Sequence, residues 1–238
     1  MAYTYTDCKF VDIQDESDVV KRYFIQFPDE IEFRFKAGQF VMLDLPIPAK
    51  YTNRAYSIAS PPSENNIFEL AIVLNPQGKG TPFLFENAAK GSVVKVSKAL
   101  GKFTITEPIE NDICFICTGT GIAPLRSMLL HIFNNNIPHK NIYMIFGNRW
   151  EKDIIYRKEM EELEAKHPEF KFIPVLSRTN EGWNGKTGYV HPLYEEIFAD
   201  KRPANFYICG WADMLHEARE RLKNMGYDRK QIRFESYD

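Results

Sequence analysis

The sequence contains no apolar run approaching the roughly 20 residues that cross a bilayer, no internal repeat and no low-complexity linker. It also lacks an excess of charge of either sign. With a formal net charge of −2, nothing in the balance favours nucleic acid or an anionic membrane as a partner. The opening residues, MAYTYTDCKF, lack the charged-then-apolar layout of a secretion signal, so a cytoplasmic protein is expected. Cysteine is scarce. Cys8, Cys114, Cys117 and Cys209 are scattered and make no disulfide framework. Cys114 and Cys117 form a C-x-x-C, but inside the apolar run ICFIC, without a turn to bring two sulfurs together. No second Cys/His pair stands at zinc spacing, and the ligand spacings of an iron–sulfur cluster are missing. Cys114 and Cys117 therefore read as buried small hydrophobes, and no metal is expected.

What is present has two rhythms. Up to about residue 107, short strands at 3–11, 19–27, 39–45, 53–59, 67–74 and 92–98 are separated by turn chemistry such as DESD, FPDE, KAGQ and SPPSENN. Six strands at that spacing, with one helical insert near 82–89, predict an antiparallel β-barrel. From about 112 onward, apolar strands (ICFICTG, NIYMIFGN, KFIPVLS, NFYICG, QIRFE) alternate with amphipathic helices. That alternation predicts an α/β domain with a parallel sheet of about five strands. The expected division is a domain of 1–107 and a domain of 108–238, joined at TEPIEND.

The stretch NRAYSIASPP places a cation and an aromatic, Arg54 and Tyr56, on one face of a strand. Ala55, Ser57 and Ala59 keep the other face small, and two prolines end it. Such a strand suits a flat, anionic ligand. Nearby, NPQGKGTPFLFE sets Gly78, Lys79 and Gly80 before Thr81-Pro82, which reads as an N-cap followed by a first-turn proline. The free N–H groups and dipole of that helix start make an anion site, although capped helices are common.

In the second half, TGTGIAPL puts Gly119 and Gly121 between a strand and a helix, where glycines let a backbone approach a pyrophosphate. Pro124 replaces the third glycine of the dinucleotide fingerprint; the plain alternative is a capped strand-to-helix turn. The next strand ends FGNR with Arg149 and no ribose-binding acid, and the third ends LSR with Ser177 and Arg178. Those three residues suit a ribose 2′-phosphate and hence NADPH, with NADH as the alternative and solvated arginines as the bland reading.

With RAYSIAS, GKGTPFLFE, LGKF, TGTGIAP, FGNR, LSR and YICGWADM in this order, the chain resembles the ferredoxin–NADP reductase superfamily over nearly its whole length. The resemblance implies an FAD-binding barrel followed by an NAD(P)-binding sheet. It implies that Arg54 neutralises the flavin pyrophosphate, Tyr56 packs on the flavin with Ala55 beside it, and Ser57 hydrogen-bonds near N5. Gly80 and Thr81, with Gly78 and Lys79 in the same loop, would meet the FAD phosphates. Thr118, Gly119, Thr120 and Gly121 would face the dinucleotide, and Cys209 and Gly210 the nicotinamide. Glu235 would lie beside the isoalloxazine as a proton relay, or else be a solvated terminal acid. Tyr237 would shield the flavin. Ser57, Cys209 and Glu235 are thus the expected catalytic residues.

The reading that follows is an FAD-dependent NAD(P)H oxidoreductase passing electrons to a separate carrier such as ferredoxin or flavodoxin. The alternatives are the reductase component of a multi-protein oxygenase, a free-flavin or quinone reductase, or a nucleotide-binding regulatory subunit. Lys50, Lys79 and Lys102 are candidates to meet an acidic carrier, or are merely solvated.

Overall fold

In the computed structural model, which describes residues 3–179 and 181–237, the first strand runs longer than its turn residues predict. Strand β1 spans Tyr5–Ser17 and pairs with β2, Val20–Gln26, through the DESD segment itself. Asp15 and Glu16 sit on an arm of the hairpin, where Lys21 meets Asp15 at 3.8 Å and Arg22 meets Glu16 at 3.6 Å, and Asp18 with Val19 makes the turn. Polar residues that would mark a turn in isolation are here cross-strand partners.

Strands β3 (Phe40–Asp44), β4 (Asn53–Ser57), β5 (Ile67–Val73) and β6 (Val93–Ser97) complete an antiparallel sheet of order β4-β3-β6-β1-β2-β5. Its two edges meet. Ile58, just past β4, bridges Leu70 in β5, and the Ala59 amide donates to the Glu69 carbonyl at 2.8 Å. This closes the barrel that the strand count predicts. Alternate residues point inward, so Tyr23, Ile25, Val41, Leu43, Leu70 and Val96 fill the interior. Phe27 stacks on Phe33 at 4.1 Å beside Phe68. Each such fully buried side chain contributes about 1.5–3 kcal/mol.

Helix α1, Gly80–Asn87, enters between β5 and β6. Its N-cap position is Lys79, not Thr81. The Thr81 hydroxyl instead accepts the Asn75 amide at 2.8 Å. It fastens the NPQGKG turn rather than capping the helix, since Thr81 already lies inside α1.

The second half follows its predicted alternation: β7 (Asp112–Thr118), α2 (Ile122–Asn134), β8 (Ile142–Asn148), α3 (Arg157–Lys166), β9 (Phe170–Leu176), α4 (His191–Ile197), β11 (Ala204–Gly210), α5 (Ala212–Asn224) and β12 (Ile232–Ser236). A sixth strand, β10, is only Lys186–Thr187 and pairs with the end of β9. Two polar residues carry no periodicity from which to predict it. The sheet is parallel throughout, in the order β10-β9-β8-β7-β11-β12. The chain starts at β7, builds outward through β8 and β9, then returns to the other side of β7 as β11. The ends of β7 and β11 are therefore the switch point where ligands of open parallel sheets bind.

Residues cluster into two units, 1–105 with 126–134, and 106–125 with 135–238. No helix among the described residues is long and apolar enough to cross a membrane.

Candidate functional site

Within the first unit, β4 presents Arg54 and Tyr56 half-buried, Ala55 exposed and Ser57 buried. The small face is thus not uniform, because the strand passes from the surface into the barrel closure along its length. The Arg54 guanidinium donates through Nη1 to the carbonyls of Tyr51 and Asn53, each at 2.8 Å, and pairs with no acid among the described residues. Its stem lies against the start of α1, and a Cβ on Gly80 would stand 3.1 Å from Arg54 Cγ. Glycine at that position lets the arginine stem lie close against the first turn of the helix. Lys79 Nζ donates to the Pro48 carbonyl at 2.7 Å, so the loop before β4 is tied to the turn before α1. Gly78 donates its amide to the Asn75 carbonyl at 3.0 Å within that turn. Tyr56 packs against the barrel core, and its burial pushes the phenol up to about 12 against the opposing effect of Arg54. It stays a neutral, flat surface at any physiological pH. These residues fit a group with a pyrophosphate and a planar ring system.

Within the second unit, β7 runs directly into a 3-10 turn, Gly119–Gly121, and then α2. Thr118 Oγ1, at the strand end, is buried and has no hydrogen-bond partner. A buried hydroxyl without a partner costs free energy unless something else supplies one. A Cβ on Gly121 would stand 2.3 Å from the Cys209 carbonyl oxygen, so only glycine lets the turn close against β11. Gly210 ends β11 opposite Ser236, and Cys209 lies opposite Glu235 on β12 and Cys117 on β7. Burial raises the Cys209 thiol well above its ordinary value and Glu235 raises it further, while a hydrogen bond with Tyr237 opposes them. Both burial and Glu235 favour the neutral thiol, an uncharged lining of the strand end. The Tyr237 hydroxyl also donates to the Thr120 carbonyl at 3.2 Å. Thr118, Gly119, Thr120, Gly121, Cys209, Gly210, Glu235 and Tyr237 thus converge on the switch point. An orphaned hydroxyl beside a glycine turn fits a dinucleotide.

Arg149, Ser177 and Arg178 lie exposed beyond the ends of β8 and β9. The Arg178 amide donates to the Arg149 carbonyl at 3.0 Å, and its guanidinium lies 5.9 Å from the Trp150 ring. The Ser177 amide donates to the Asn148 carbonyl at 3.0 Å. Beside them opens a cleft lined by Trp150, Glu151, Lys152 and Arg157, which sequence reasoning missed. Its one acid, Glu151, is paired with Arg157. Tryptophan followed by alternating charges after FGN was the available signal.

Cys114 and Cys117 stand three apart on a strand whose side chains alternate, so their sulfurs point to opposite faces. Both are fully buried, and no metal-binding group of His, Cys, Asp or Glu occurs among the described residues.

Residues 7–105 match the family described as oxidoreductase FAD-binding domain, and residues 115–220 the oxidoreductase NAD-binding domain. A ferredoxin–NADP reductase B of Sorangium cellulosum is 32% identical, over 98% of this chain and 97% of its own length. A glycine betaine monooxygenase reductase subunit of Chromohalobacter salexigens is 29% identical over 94% of this chain, which spans 62% of that relative. The crystal structure of a ferredoxin NADP+ reductase from Neisseria gonorrhoeae with bound FAD and NADP superposes with a TM-score of 0.83, at 25% identity, over the whole of both chains.

Proposed function

The chain belongs to the ferredoxin–NADP reductase superfamily, and from that premise we propose that it is an FAD-dependent NADPH oxidoreductase serving a separate one-electron carrier such as ferredoxin or flavodoxin. The observation that carries this reading is the 32% identity with a ferredoxin–NADP reductase over nearly the full chain. The two half-sites agree with it: an anion cradle with an acid-free arginine, and a glycine turn with an unpartnered hydroxyl.

Bound FAD supplies the redox chemistry, taking a hydride equivalent from the nicotinamide and giving electrons up singly. The chain supplies binding and orientation. Arg54 and the first turn of α1 hold the pyrophosphate, Tyr56 covers the ring system, and Ser57 offers a hydroxyl at N5. Thr118 gains from the dinucleotide the partner it lacks, and the Gly119–Gly121 turn carries its backbone close. Cys209 and Gly210 line the nicotinamide without charge, and Glu235, half-buried beside Cys209, is the group placed to hold or release a proton.

The test is the visible spectrum of the purified protein and its anaerobic titration with NADPH and NADH. A flavin spectrum bleached by nucleotide supports the reading; a bound flavin that neither nucleotide bleaches makes the chain a binding subunit instead.

Preference for NADPH rests on Arg149, Ser177 and Arg178, with Glu151 engaged by Arg157 and so withheld from a ribose hydroxyl. Arg178→Ala is expected to lower kcat/KM for NADPH by about 10- to 100-fold more than for NADH, the range of a lost charge-assisted hydrogen bond. Equal losses with both nucleotides would remove the 2′-phosphate role.

Tyr237 holds the Thr120 carbonyl, a group of the dinucleotide turn. Tyr237→Ser should tighten nucleotide binding by about threefold to tenfold, the worth of one competing hydrogen bond, as read by difference spectroscopy. Unchanged or weaker binding would mean the ring does not compete for that place.

A further inference from the structure

Two charged side chains lie in apolar runs where ligand binding does not require them: Glu69 in β5 and Arg126 in α2, 3% and 5% exposed. They meet inside the first unit. Glu69 Oε1 accepts Arg22 Nε at 2.6 Å, and Oε2 accepts Arg22 Nη2 and Arg126 Nη1, each at 3.1 Å. The same Arg126 nitrogen donates to the Ala59 carbonyl at 2.8 Å. The backbone of Glu69 makes two further bonds to the same place. Its carbonyl accepts the Ala59 amide at 2.8 Å, and its amide donates to Ser60 Oγ at 3.0 Å. Ser127, next to Arg126, donates its hydroxyl to the Ser60 carbonyl at 2.7 Å.

Residues 59 and 60 are the first two after Ile58, and Ile58 follows Ser57. Strand β4 has a full ladder with β3 on one side, but on the other only the single bridge from Ile58 to Leu70. Without the four bonds at 59 and 60, its exit would be held on one side alone. A buried ion triad is a costly way to stabilise a barrel, since apolar residues of equal volume often do as well or better. A fixed carboxylate does give direction: it takes Arg22 as a two-nitrogen fork and holds the Arg126 nitrogen that also reaches Ala59.

We propose that Glu69 is a positioning residue for the flavin strand: by orienting Arg126 onto the Ala59 carbonyl, it fixes the exit of β4 and hence the placement of Ser57 and Tyr56. The proposal rests on the reading of those two side chains as flavin contacts.

The experiment uses the full chain as wild type, Glu69→Gln and Ser127→Ala, each with FAD and as apoprotein. In anaerobic stopped flow with NADPH, Glu69→Gln should keep its flavin but bleach about 100-fold more slowly, the effect of roughly 1 Å of misplacement. Ser127→Ala, which removes one bond of the four, should slow it by about tenfold on the same scale. In the apoproteins, hydrogen exchange at the amides of 57–60 should speed up in both variants, while that of β8 in the second unit stays unchanged. Wild-type bleaching rates and unchanged exchange at 57–60, even with a lowered Tm, would reduce the triad to barrel stability and overturn the proposal. Should Glu69→Gln fail to fold, Ser127→Ala decides on the same two readouts. If wild type is not bleached at all, the oxidoreductase reading fails, while the apoprotein exchange still decides whether Glu69 holds the strand.

Discussion

Arg54→Ala is expected to weaken FAD binding by about 3 kcal/mol, on the order of a hundredfold in Kd. The arginine is half-buried, and among the described residues its donors reach only the carbonyls of Tyr51 and Asn53, at 2.8 Å each. Two neutral acceptors orient a guanidinium without neutralising it. The cation is therefore held in place without a carboxylate partner among the described residues, beside the positive end of a helix. A pyrophosphate answers both, and alanine removes the stronger of the two. Because the side chain is not part of the barrel core, Tm of the apoprotein should change little. Arg54→Lys should recover only part of the affinity, since an ammonium keeps the charge but loses the planar fork. Fluorescence titration of apoprotein with FAD measures the effect. A Kd for Arg54→Ala within twofold of wild type would place the pyrophosphate elsewhere.

The second large effect is expected from Gly121→Ala. The new methyl would stand 2.3 Å from the Cys209 oxygen, 2.7 Å from its carbonyl carbon and 3.1 Å from the Gly210 Cα. All three neighbours are backbone, so none can rotate away. Either the turn lifts or the end of β11 moves, at about 1–3 kcal/mol of stability or more. Both movements displace Thr118–Gly121 from Cys209–Gly210, the two walls of the proposed nicotinamide site. A shift near 1 Å should slow flavin reduction by about 100-fold, while FAD affinity stays near wild type because the anion cradle is untouched. The contrast with Arg54→Ala is diagnostic, for one variant loses the flavin and the other keeps it but reduces it slowly. A wild-type reduction rate in folded Gly121→Ala would show that the turn does not carry the nucleotide.

The strand and helix rhythm was legible because each buried element repeats its apolar residues at its own period. The barrel, the parallel sheet and the turn after β7 all follow from that. Legibility failed where polar residues serve a partner distant in sequence or sit in a loop. Only the last residue of DESD, Asp18, lies in the turn; Asp15 and Glu16 belong to the strand because Lys21 and Arg22 stand across the hairpin. Thr81 reads as a cap until Asn75 claims its hydroxyl. Strand β10 owes its existence to the end of β9, not to its own two residues. The triad around Glu69 did leave a trace. An acid in IFELAIV and an arginine in PLRSMLLHIF each interrupt an apolar run, and a buried charge needs a partner. Nothing local says that the two belong together, because 57 residues separate them.

The helix that follows the dinucleotide turn has a bearing on modularity. The family boundaries, 7–105 and 115–220, suggest two exchangeable cassettes. Yet the segment that groups with the barrel includes 126–134, which lies in the second cassette. A cut after Ile105 would discard Arg126 and Ser127, leaving the Ala59 and Ser60 carbonyls without those donors and Glu69 without Arg126. A chimera that swaps the nucleotide cassette therefore inherits part of the first unit from the donor. Residues 126 and 127 must travel with the barrel they serve, whatever the linear boundary says.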